Sequence, residues 1–437
     1  MTADFSKDEE EPRIEIFKDR SVLYNGKGKT SEFYEGRPSI DAQLRYNEIK
    51  KAMSQGYLDG IIKECLTGKV YPIENTKIDT LLNELISSIS SQFGRGLVGL
   101  FVLQLCVKAI SPKQSIRLHK GGTGDFSWKE GISMRTLDAN FIAPTLRKYD
   151  LLKYNQFGVM MSRSFAENYP YSKFYKASIR GPREQWLELV DLLEGDVVDA
   201  ELLLRRVISL LINRSEKFKT LVETVNDKLG NFLKAKHSSK EIKALILTHV
   251  SSSNYPARLF EIAMHSLVYT VYIKTNPPWH LRPLAQMRSA NKKFGNIGDI
   301  ELLLAPNGQD EIIQAWDAKF GKSYMLEELG ELTDKLGNHK NLQEVGFVVD
   351  GQPEIRTEIE DKLTEISDIY GVEVKLFSFE SWLNYILSNN RVEFDEIAMD
   401  WLLSYISYIC LKKPDVAPIE EPTEVWLEEL IAILKKR

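Results

Sequence analysis

The sequence contains few of the residues that form disulfide frameworks and zinc sites. Its 437 residues include only three cysteines, which lie far apart, and six histidines. None of them shows the short spacing of a zinc-ligand motif, so we predict reduced, mostly buried thiols and no zinc centre. The sequence also shows no run of about 20 apolar residues, the length that a membrane span needs. Residues 1–12 are acidic instead of basic and then apolar, so we expect a cytoplasmic protein without a membrane partner.

The net charge of -5 is unevenly distributed along the chain. Between Lys108 and Arg183 there are fourteen basic and five acidic residues, so this segment carries +9 and the remainder carries -14. Such a distribution is typical of a protein with one region that faces a polyanion. Ten polar or basic residues of this segment are the candidate DNA-binding residues: Arg117, Lys120, Arg135, Asn140, Arg147, Lys148, Arg163, Lys173, Lys176 and Arg180.

Two acids and a lysine occur where adjacent β-strands would bring them together. The turn sequence 306–310 separates two apolar runs, which predicts a β-hairpin. Asp299 begins the first strand, and Asp317 and Lys319 share one face near the end of the second, because side chains alternate along a strand. Two carboxylates at one point hold a hard cation such as Mg²⁺, and the lysine can orient a water molecule or offset phosphate charge. Glu301 shares the strand face of Asp299 and is a candidate auxiliary metal ligand, but we favour a structural or exposed role for it.

Helices and strands alternate in the sequence around these residues. Apolar periodicity predicts helices at 256–274, 325–336, 354–370 and 379–387, and buried strands at 345–349 and 372–377. Together with the hairpin, this order predicts a mixed sheet flanked by helices.

Residues 255–390 resemble the PD-(D/E)XK nuclease fold, the core shared by most type II restriction endonucleases. The resemblance places the first motif acid at Asp299, the second acid at Asp317 and the motif lysine at Lys319. It implies that the two acids bind Mg²⁺, for which Mn²⁺ substitutes, and that the lysine helps to generate or orient the attacking water.

The helix glutamate that often completes the metal site in this family falls on Glu261. An alternative is that Glu261 pairs with Arg258, one helical turn earlier. The sequence departs from the usual family pattern in having Gly298 where proline precedes the first acid. It also has an aspartate, Asp317, where glutamate is common.

The middle of the chain resembles a winged helix-turn-helix domain, whose second helix enters the major groove of DNA and whose wing contacts phosphates. The predicted elements are a helical stretch at 78–110 with a break at 94–96, a strand at 114–122, a helix at 136–150 and a hairpin strand at 158–163. Thr136 is the predicted helix cap. Pro144 argues against one unbroken helix and is an alternative start of the recognition helix.

Aromatic and basic residues are interleaved at 169–181, as in segments that contact phosphates or stack on bases. The alternative is that Phe174 and Tyr175 anchor a loop to the core. Trp128, Tyr169 and Tyr171 are candidates for an aromatic cage around a flipped, modified base.

We predict an α/β nuclease core preceded by a mainly α, winged-helix-like domain. The four regions are an N-terminal region of unknown role (1–77), a DNA-recognition region with a helical connector (78–237), a nuclease domain (238–390) and C-terminal helices (391–437). The expected function is Mg²⁺-dependent, sequence-specific hydrolysis of double-stranded DNA by a type II restriction endonuclease. Alternatives are a modification-dependent or DNA-repair endonuclease of the same fold, and a non-catalytic winged-helix DNA-binding protein. A cognate DNA methyltransferase encoded nearby and a homodimer are the further expected partners.

Overall fold

The computed structural model describes residues 11–25, 30–90, 92–122, 125–152, 154–155, 157–284, 296–305, 310–337, 339, 341–410 and 423–435. The chain forms two compact units that divide between Lys219 and Thr220. This division lies inside a long helix, Ala200–Phe232, whereas the sequence predicts a boundary at 237. We refer to the part before the division as unit 1 and the part after it as unit 2.

Unit 1 combines a small antiparallel sheet with a helical core. Its strands, in the order β1-β2-β3, are β1 (Arg13–Ile16), β2 (Arg20–Tyr24) and β3 (Thr30–Tyr34). Its helices are α1 (Ile40–Ser54), α2 (Tyr57–Cys65), α3 (Thr76–Ser87), α4 (Gln92–Ile110), α5 (Met134–Leu137), α6 (Ala143–Lys148), α7 (Arg183–Glu194) and the start of α8 (Ala200–Phe232). Buried residues from α3, α4, α7 and α8, such as Leu82, Phe101, Trp186 and Leu204, form one apolar core.

Helix α4 is the most apolar element of unit 1. Its window Phe93–Ile110 is long and apolar enough to cross a membrane by length and composition, which corrects the expectation that no window approaches such a span. Most of this window is buried in the core of unit 1. A buried core helix passes the same test, so the window is weak support for a membrane span.

The break between α3 and α4 lies at Ser88–Ser90, a turn of 3₁₀-helix, and not at 94–96 as predicted. Gly94 belongs to α4, where a Cβ atom would lie 1.9 Å from the carbonyl oxygen of Ser88. Glycine is therefore required here by the close approach of the two backbones, and it does not interrupt the helix.

The two segments predicted as strands of a wing are not strands. Residues 114–122 form turns and irregular backbone, and residues 158–165 contain two 3₁₀ turns, Val159–Met161 and Arg163–Phe165. In the first segment consecutive residues from 116 to 119 are all buried, which does not fit a strand with one solvated face. In the second, the buried Asp138 accepts a hydrogen bond from the Val159 amide at 2.6 Å and holds the chain against the helix. The prediction of a β-stranded wing from these two segments is therefore wrong.

The predicted helix at 136–150 is present but irregular. Helix α5 leads into a π-helical turn, Asp138–Ile142, which leads into α6. Pro144 lies in the first turn of α6, directly after the π-helical turn. Thr136 lies inside α5, so its predicted role as the cap is wrong.

Unit 2 contains a five-stranded mixed sheet flanked by helices, as predicted. The strand order is β4-β5-β6-β7-β8, with β4 (His280–Leu281), β5 (Ile300–Leu304), β6 (Glu311–Lys319), β7 (Glu344–Val349) and β8 (Glu373–Ser378). Strands β4 to β6 pair antiparallel, and β6 to β8 pair parallel. The helices are the end of α8, α9 (Ser239–Ser252), α10 (Pro256–Thr275), α11 (Leu326–Leu336), α12 (Thr357–Tyr370), α13 (Phe379–Asn390), α14 (Phe394–Cys410) and α15 (Thr423–Leu434).

Both faces of the sheet of unit 2 are covered. Ala315 of β6 and Phe347 of β7 belong to an apolar cluster that contains the inner leucines of α11, including Leu329. Trp316, the next residue of β6, points to the opposite face and lies against Phe377 and Trp382. Apolar side chains from the flanking helices therefore pack on both faces of the sheet.

Candidate functional site

The register of the β5–β6 hairpin brings Asp299 and Asp317 together. Ile300 pairs with Trp316, so the preceding residue Asp299 lies across from Asp317. One oxygen of Asp299, Oδ2, accepts a hydrogen bond from the backbone N–H of Ala318 at 3.0 Å. The Nζ atom of Lys319 lies 2.7 Å from Oδ2 of Asp317. The three residues that the sequence singled out therefore converge at one end of the hairpin.

Burial and neighbouring acids shift the pKa values of Asp299 and Lys319. Burial, and then the charges of Asp317 and Glu261, raise the pKa of Asp299 well above its ordinary value. Burial alone would lower the pKa of Lys319, but Asp317, Asp299 and other acids outweigh burial and raise it. The lysine is therefore positively charged, and the acid pair favours a further positive charge beside it.

The pairing of Glu261 with Arg258 is confirmed, and its role as a metal ligand stays a prediction. It lies on α10 and forms an ion pair with Arg258, three residues earlier, and both side chains are largely buried. It also lies close enough to Asp299 to raise the pKa of that carboxyl group. Glu261 therefore lies beside the acid pair and is ion-paired with Arg258.

The acids fit a divalent cation in part. Within the described residues, no group of three or more His, Cys, Asp or Glu side chains is arranged to hold a metal ion. Two carboxylates, Asp299 and Asp317, are nevertheless in contact. Burial and then repulsion between the acids raise the pKa of Asp299, and a bound cation would offset that repulsion. These two acids are the residues that would hold Mg²⁺, with Glu261 as a third ligand only if it is released from Arg258.

Glu301 supports the turn that carries Asp299. Its side chain is fully buried, and Oε1 accepts hydrogen bonds from the N–H groups of Ile297 at 2.6 Å and Gly298 at 3.3 Å. Its Oε2 atom lies 3.0 Å from Nε of Arg282. The structural alternative of our prediction for Glu301 is confirmed, and the exposed alternative is wrong.

Gly298 occupies a position that excludes any side chain. A Cβ atom there would lie 2.8 Å from the carbonyl oxygen and 2.9 Å from the carbonyl carbon of Trp316. The backbone before Asp299 thus passes directly over β6, and this close approach explains the departure from proline at this position.

Two residues near Lys319, Phe347 and Glu328, were not predicted from the sequence as part of the site. The Nζ atom of Lys319 lies 5.9 Å from the ring centroid of Phe347, and Glu328 on α11 contributes to the raised pKa of Lys319. Glu328 is three residues after Met325 and four before Leu332, both buried, so it is a charged residue on the apolar face of its helix. That pattern is the signal that would have identified it.

The ten candidate DNA-binding residues differ in accessibility. Arg117 is 4% exposed and donates hydrogen bonds to Tyr171 and Asp191, so its burial does not fit the predicted phosphate contact. Lys120 and Arg147 are half-buried, and Lys148 is exposed but ion-paired with Asp59. The remaining exposed candidates are Arg135, Asn140, Arg163, Lys173, Lys176 and Arg180.

The aromatic residues of the middle segment mainly anchor the core. Tyr171 and Trp128 are fully buried and Tyr175 is 3% exposed, so the proposed aromatic cage of Trp128, Tyr169 and Tyr171 is wrong. The neighbouring cations instead lie outside: Nζ of Lys176 is 4.9 Å from the ring centroid of Tyr169. In residues 169–181, aromatic side chains therefore pack on the core and basic side chains lie on the surface.

Comparison with known proteins assigns no family to this chain. No family model matches it, and no curated protein matches it either. A functional proposal therefore depends on the geometry of Asp299, Asp317 and Lys319 and on the exposed cations of unit 1.

Proposed function

We propose that the protein is a metal-dependent endonuclease that hydrolyses phosphodiester bonds in double-stranded DNA after sequence recognition, with a PD-(D/E)XK-like core in unit 2. The observation that carries this proposal is the convergence of Asp299, Asp317 and Lys319 at one end of the β5–β6 hairpin. Two acids and an ammonium group in contact suit cation-assisted attack of water on a phosphate. The mixed sheet and its flanking helices agree with the proposal.

Each residue of the group has a distinct role in this proposal. Asp299 and Asp317 would hold the cation, and bound Mg²⁺ would lower the pKa of a water molecule and offset charge on the phosphate. Lys319 holds a positive charge beside the acids, where it orients a water molecule or attracts the scissile phosphate. Glu301 and Gly298 fix the backbone that presents Asp299.

Double-stranded DNA is the proposed substrate because unit 1 contains the strongly basic segment of the chain. The segment from Lys108 to Arg183 has a charge of +9 in a chain of net charge -5. Within it, Lys173, Lys176 and Arg180 are exposed and available to phosphates. The acidic remainder would limit binding to other polyanions.

Removing exposed cations should weaken binding to every DNA sequence. We expect the variant Lys173→Ala/Lys176→Ala/Arg180→Ala to bind DNA less tightly. The slope of log Kd against log salt concentration should fall by about one for each lysine or arginine that binds a phosphate in the wild type. Fluorescence anisotropy at several salt concentrations measures both quantities. The control is Lys69→Ala, which removes an exposed cation outside the basic segment. An unchanged slope in the triple variant would place the DNA-binding surface elsewhere.

Glu301→Gln should slow cleavage without removing any group from the acid pair. The substitution keeps the shape of the side chain but removes the charge that pairs with Arg282, and it weakens the hold on the Ile297 and Gly298 amides. We expect kcat to fall about tenfold or more, because a small misplacement of a catalytic group is sufficient for such a loss. The KM for DNA should stay near the wild-type value. A rise in KM with unchanged kcat would contradict this positioning role.

One observation favours a competing function, a DNA-binding protein without nuclease activity. Arg258 holds Glu261, and the described residues contain no complete metal-ligand group. Incubation of methylated and unmethylated phage DNA with the protein and Mg²⁺, followed by sequencing of fragment ends, separates the two functions. Defined ends support the endonuclease, and intact DNA supports the competing function. A methyltransferase gene beside this one would favour a restriction enzyme over a modification-dependent or repair nuclease.

A further inference from the structure

Three exposed apolar side chains lie within or beside the basic segment of unit 1. Phe157 is 59% exposed, Met161 is 44% exposed and Phe93 is 37% exposed. Single apolar residues are common on protein surfaces and need no explanation. These three differ because they are attached to the same end of α4, and we refer to them as the Phe157 cluster. A group of apolar side chains that solvent reaches in a charged region marks a binding surface.

Contacts with α4 bring the Phe157 cluster to one part of the surface. A Cβ atom on Gly99 would lie 2.7 Å from the ring of Tyr154. A Cβ atom on Gly96, about one turn earlier in α4, would lie 3.2 Å from Cγ2 of Val159. From Tyr154 to Val159 the chain therefore follows α4 towards its N-terminus. Phe93, the second residue of α4, lies about one turn further in the same direction.

A single buried carboxylate fixes the chain on both sides of Phe157. Oδ1 of Asp138 accepts a hydrogen bond from the hydroxyl of Tyr154 at 2.7 Å, and Oδ2 accepts one from the N–H of Val159 at 2.6 Å. The N–H of Phe157 itself donates to Oδ1 of Asn155 at 3.0 Å. Asp138 is fully buried, so little water competes for its hydrogen bonds. Phe157 is therefore presented to solvent by a fixed backbone, which lowers the entropy lost when the ring binds a partner.

The charges around the Phe157 cluster favour a polyanion as its partner. Arg180 is exposed, and its Cζ atom lies 5.4 Å from the ring centroid of Phe93. On the other side, Nη2 of Arg135 lies 2.7 Å from Sδ of Met161. Both arginines belong to the segment of charge +9. Duplex DNA offers phosphates to such cations and stacked bases to an apolar ring, whereas a purely apolar partner would leave the cations desolvated.

We propose that Phe157 inserts between stacked base pairs of duplex DNA and kinks the duplex, while Arg180 contacts a phosphate beside the kink. The inference rests on the proposed function in one respect, that duplex DNA is the ligand. Proteins that bend DNA insert phenylalanine, leucine or methionine into a base step, and wider contact with the bent duplex offsets the cost of unstacking. Pyrimidine–purine steps are the easiest to unstack. Phe157 would therefore add a preference for sites that contain such a step, without a hydrogen bond to any base.

The decisive variant is Phe157→Ala in the full chain, where an exposed side chain is removed and Tm should stay the same. Atomic force microscopy of linear phage DNA, with Ca²⁺ in place of Mg²⁺, measures the bend at each bound molecule without a known recognition sequence. Wild-type protein should bend the DNA by about 20 to 90°, and Phe157→Ala should leave it nearly straight. In anisotropy, Phe157→Ala should bind about fivefold more weakly or worse. The slope of log Kd against log salt concentration should not change, because the ring contacts no phosphate.

Two further variants complete the test. Phe157→Leu keeps an apolar side chain that can enter a base step, so it should retain most of the bend. The control Ile369→Ala removes an exposed apolar side chain from α12 of unit 2 and should match the wild type in both measurements. Equal bends in the wild type and Phe157→Ala would overturn the proposal, as would straight DNA under the wild type. A changed oligomeric state of Phe157→Ala in sedimentation, with an unchanged bend, would assign the cluster to a contact between copies and also overturn it.

Cleavage in Mg²⁺ tests the proposed function separately. DNA that is bent by the wild type and never cleaved would overturn the endonuclease and leave the role of Phe157 standing. Cleavage of DNA that stays straight would do the reverse.

Discussion

Asp317→Asn should abolish DNA cleavage and leave DNA binding nearly unchanged. The substitution keeps the size of the side chain but removes the charge that pairs with Lys319 and that would hold a cation together with Asp299. We expect cleavage to fall by about a thousandfold or more, which corresponds to about 4 kcal/mol of transition-state stabilisation. Single-turnover cleavage of phage DNA measures the rate, and anisotropy measures binding. Asp299→Asn and Lys319→Met should behave alike.

The matched control is Glu311→Gln, an acid at the other end of the same strand. It should cleave at the wild-type rate, since Glu311 contacts Asn341 and lies away from the acid pair. In the wild type, EDTA should stop cleavage, Mn²⁺ should restore it, and Ca²⁺ should support binding without turnover. Cleavage by Asp317→Asn at the wild-type rate would show that this residue has no role in catalysis. Rapid cleavage in EDTA would show that catalysis does not need a metal ion.

Acidification should destabilise unit 2 through the buried His249. Its Nε2 donates to the carbonyl oxygen of Trp426 at 3.0 Å, because a carbonyl only accepts, and its Nδ1 accepts from the hydroxyl of Tyr405 at 2.9 Å. Burial lowers the pKa of His249 from 6.5 to about 4, against the opposing effect of the Trp426 carbonyl. The folded state therefore keeps a neutral ring while the unfolded chain takes up a proton. Stability from this group is full above pH 6.5 and is lost as the pH falls towards 4, by about 3 kcal/mol.

Urea denaturation between pH 7.5 and 4.5 measures this effect. The variant His249→Gln retains a donor and an acceptor but does not titrate, so its free energy of unfolding should vary less with pH than that of the wild type. The comparison variant Tyr405→Phe should be less stable by about 1 kcal/mol throughout this range while it retains the pH dependence. Equal pH dependence in His249→Gln and the wild type would contradict the prediction.

The helices and strands of unit 2 were mostly predicted correctly, because the pattern of apolar residues within each segment is sufficient to identify it. The run 345–349 is short and apolar, and it forms the fully buried strand β7, while the periodic segment 256–274 forms α10. The order of these elements was sufficient to predict a mixed sheet. Helix α9 was missed although Ser238 and Glu241 form a capping box at its start, a signal that is visible in the sequence.

Unit 1 could not be predicted in the same way because its segments are fixed by distant residues. The alternating residues at 114–122 suggested a strand, but Arg117 is turned inward by Tyr171 and Asp191, more than fifty residues away. Similarly, Asp138 captures the Val159 amide and prevents an extended chain at 158–163. Tertiary hydrogen bonds of this kind override local patterns.

The three residues of the candidate site could be predicted from the sequence, but the side chains that surround them could not. Strand alternation and hairpin pairing were sufficient to bring Asp299, Asp317 and Lys319 together. The pairing of Glu261 with Arg258 and the position of Glu328 depend on how α10 and α11 pack on the sheet, which one sequence does not specify.

The close approach of Gly298 to Trp316 has a consequence for mutational screens of this protein. In a library that samples every substitution, position 298 should tolerate no replacement, because even alanine places a carbon 2.8 Å from a backbone oxygen. A screen that scores activity alone would rank Gly298 with Asp299 and Asp317 and mark it as chemically essential. Abundance measured in the same library separates them, since the two aspartate variants should accumulate as intact protein while the glycine variants should be depleted from the folded pool.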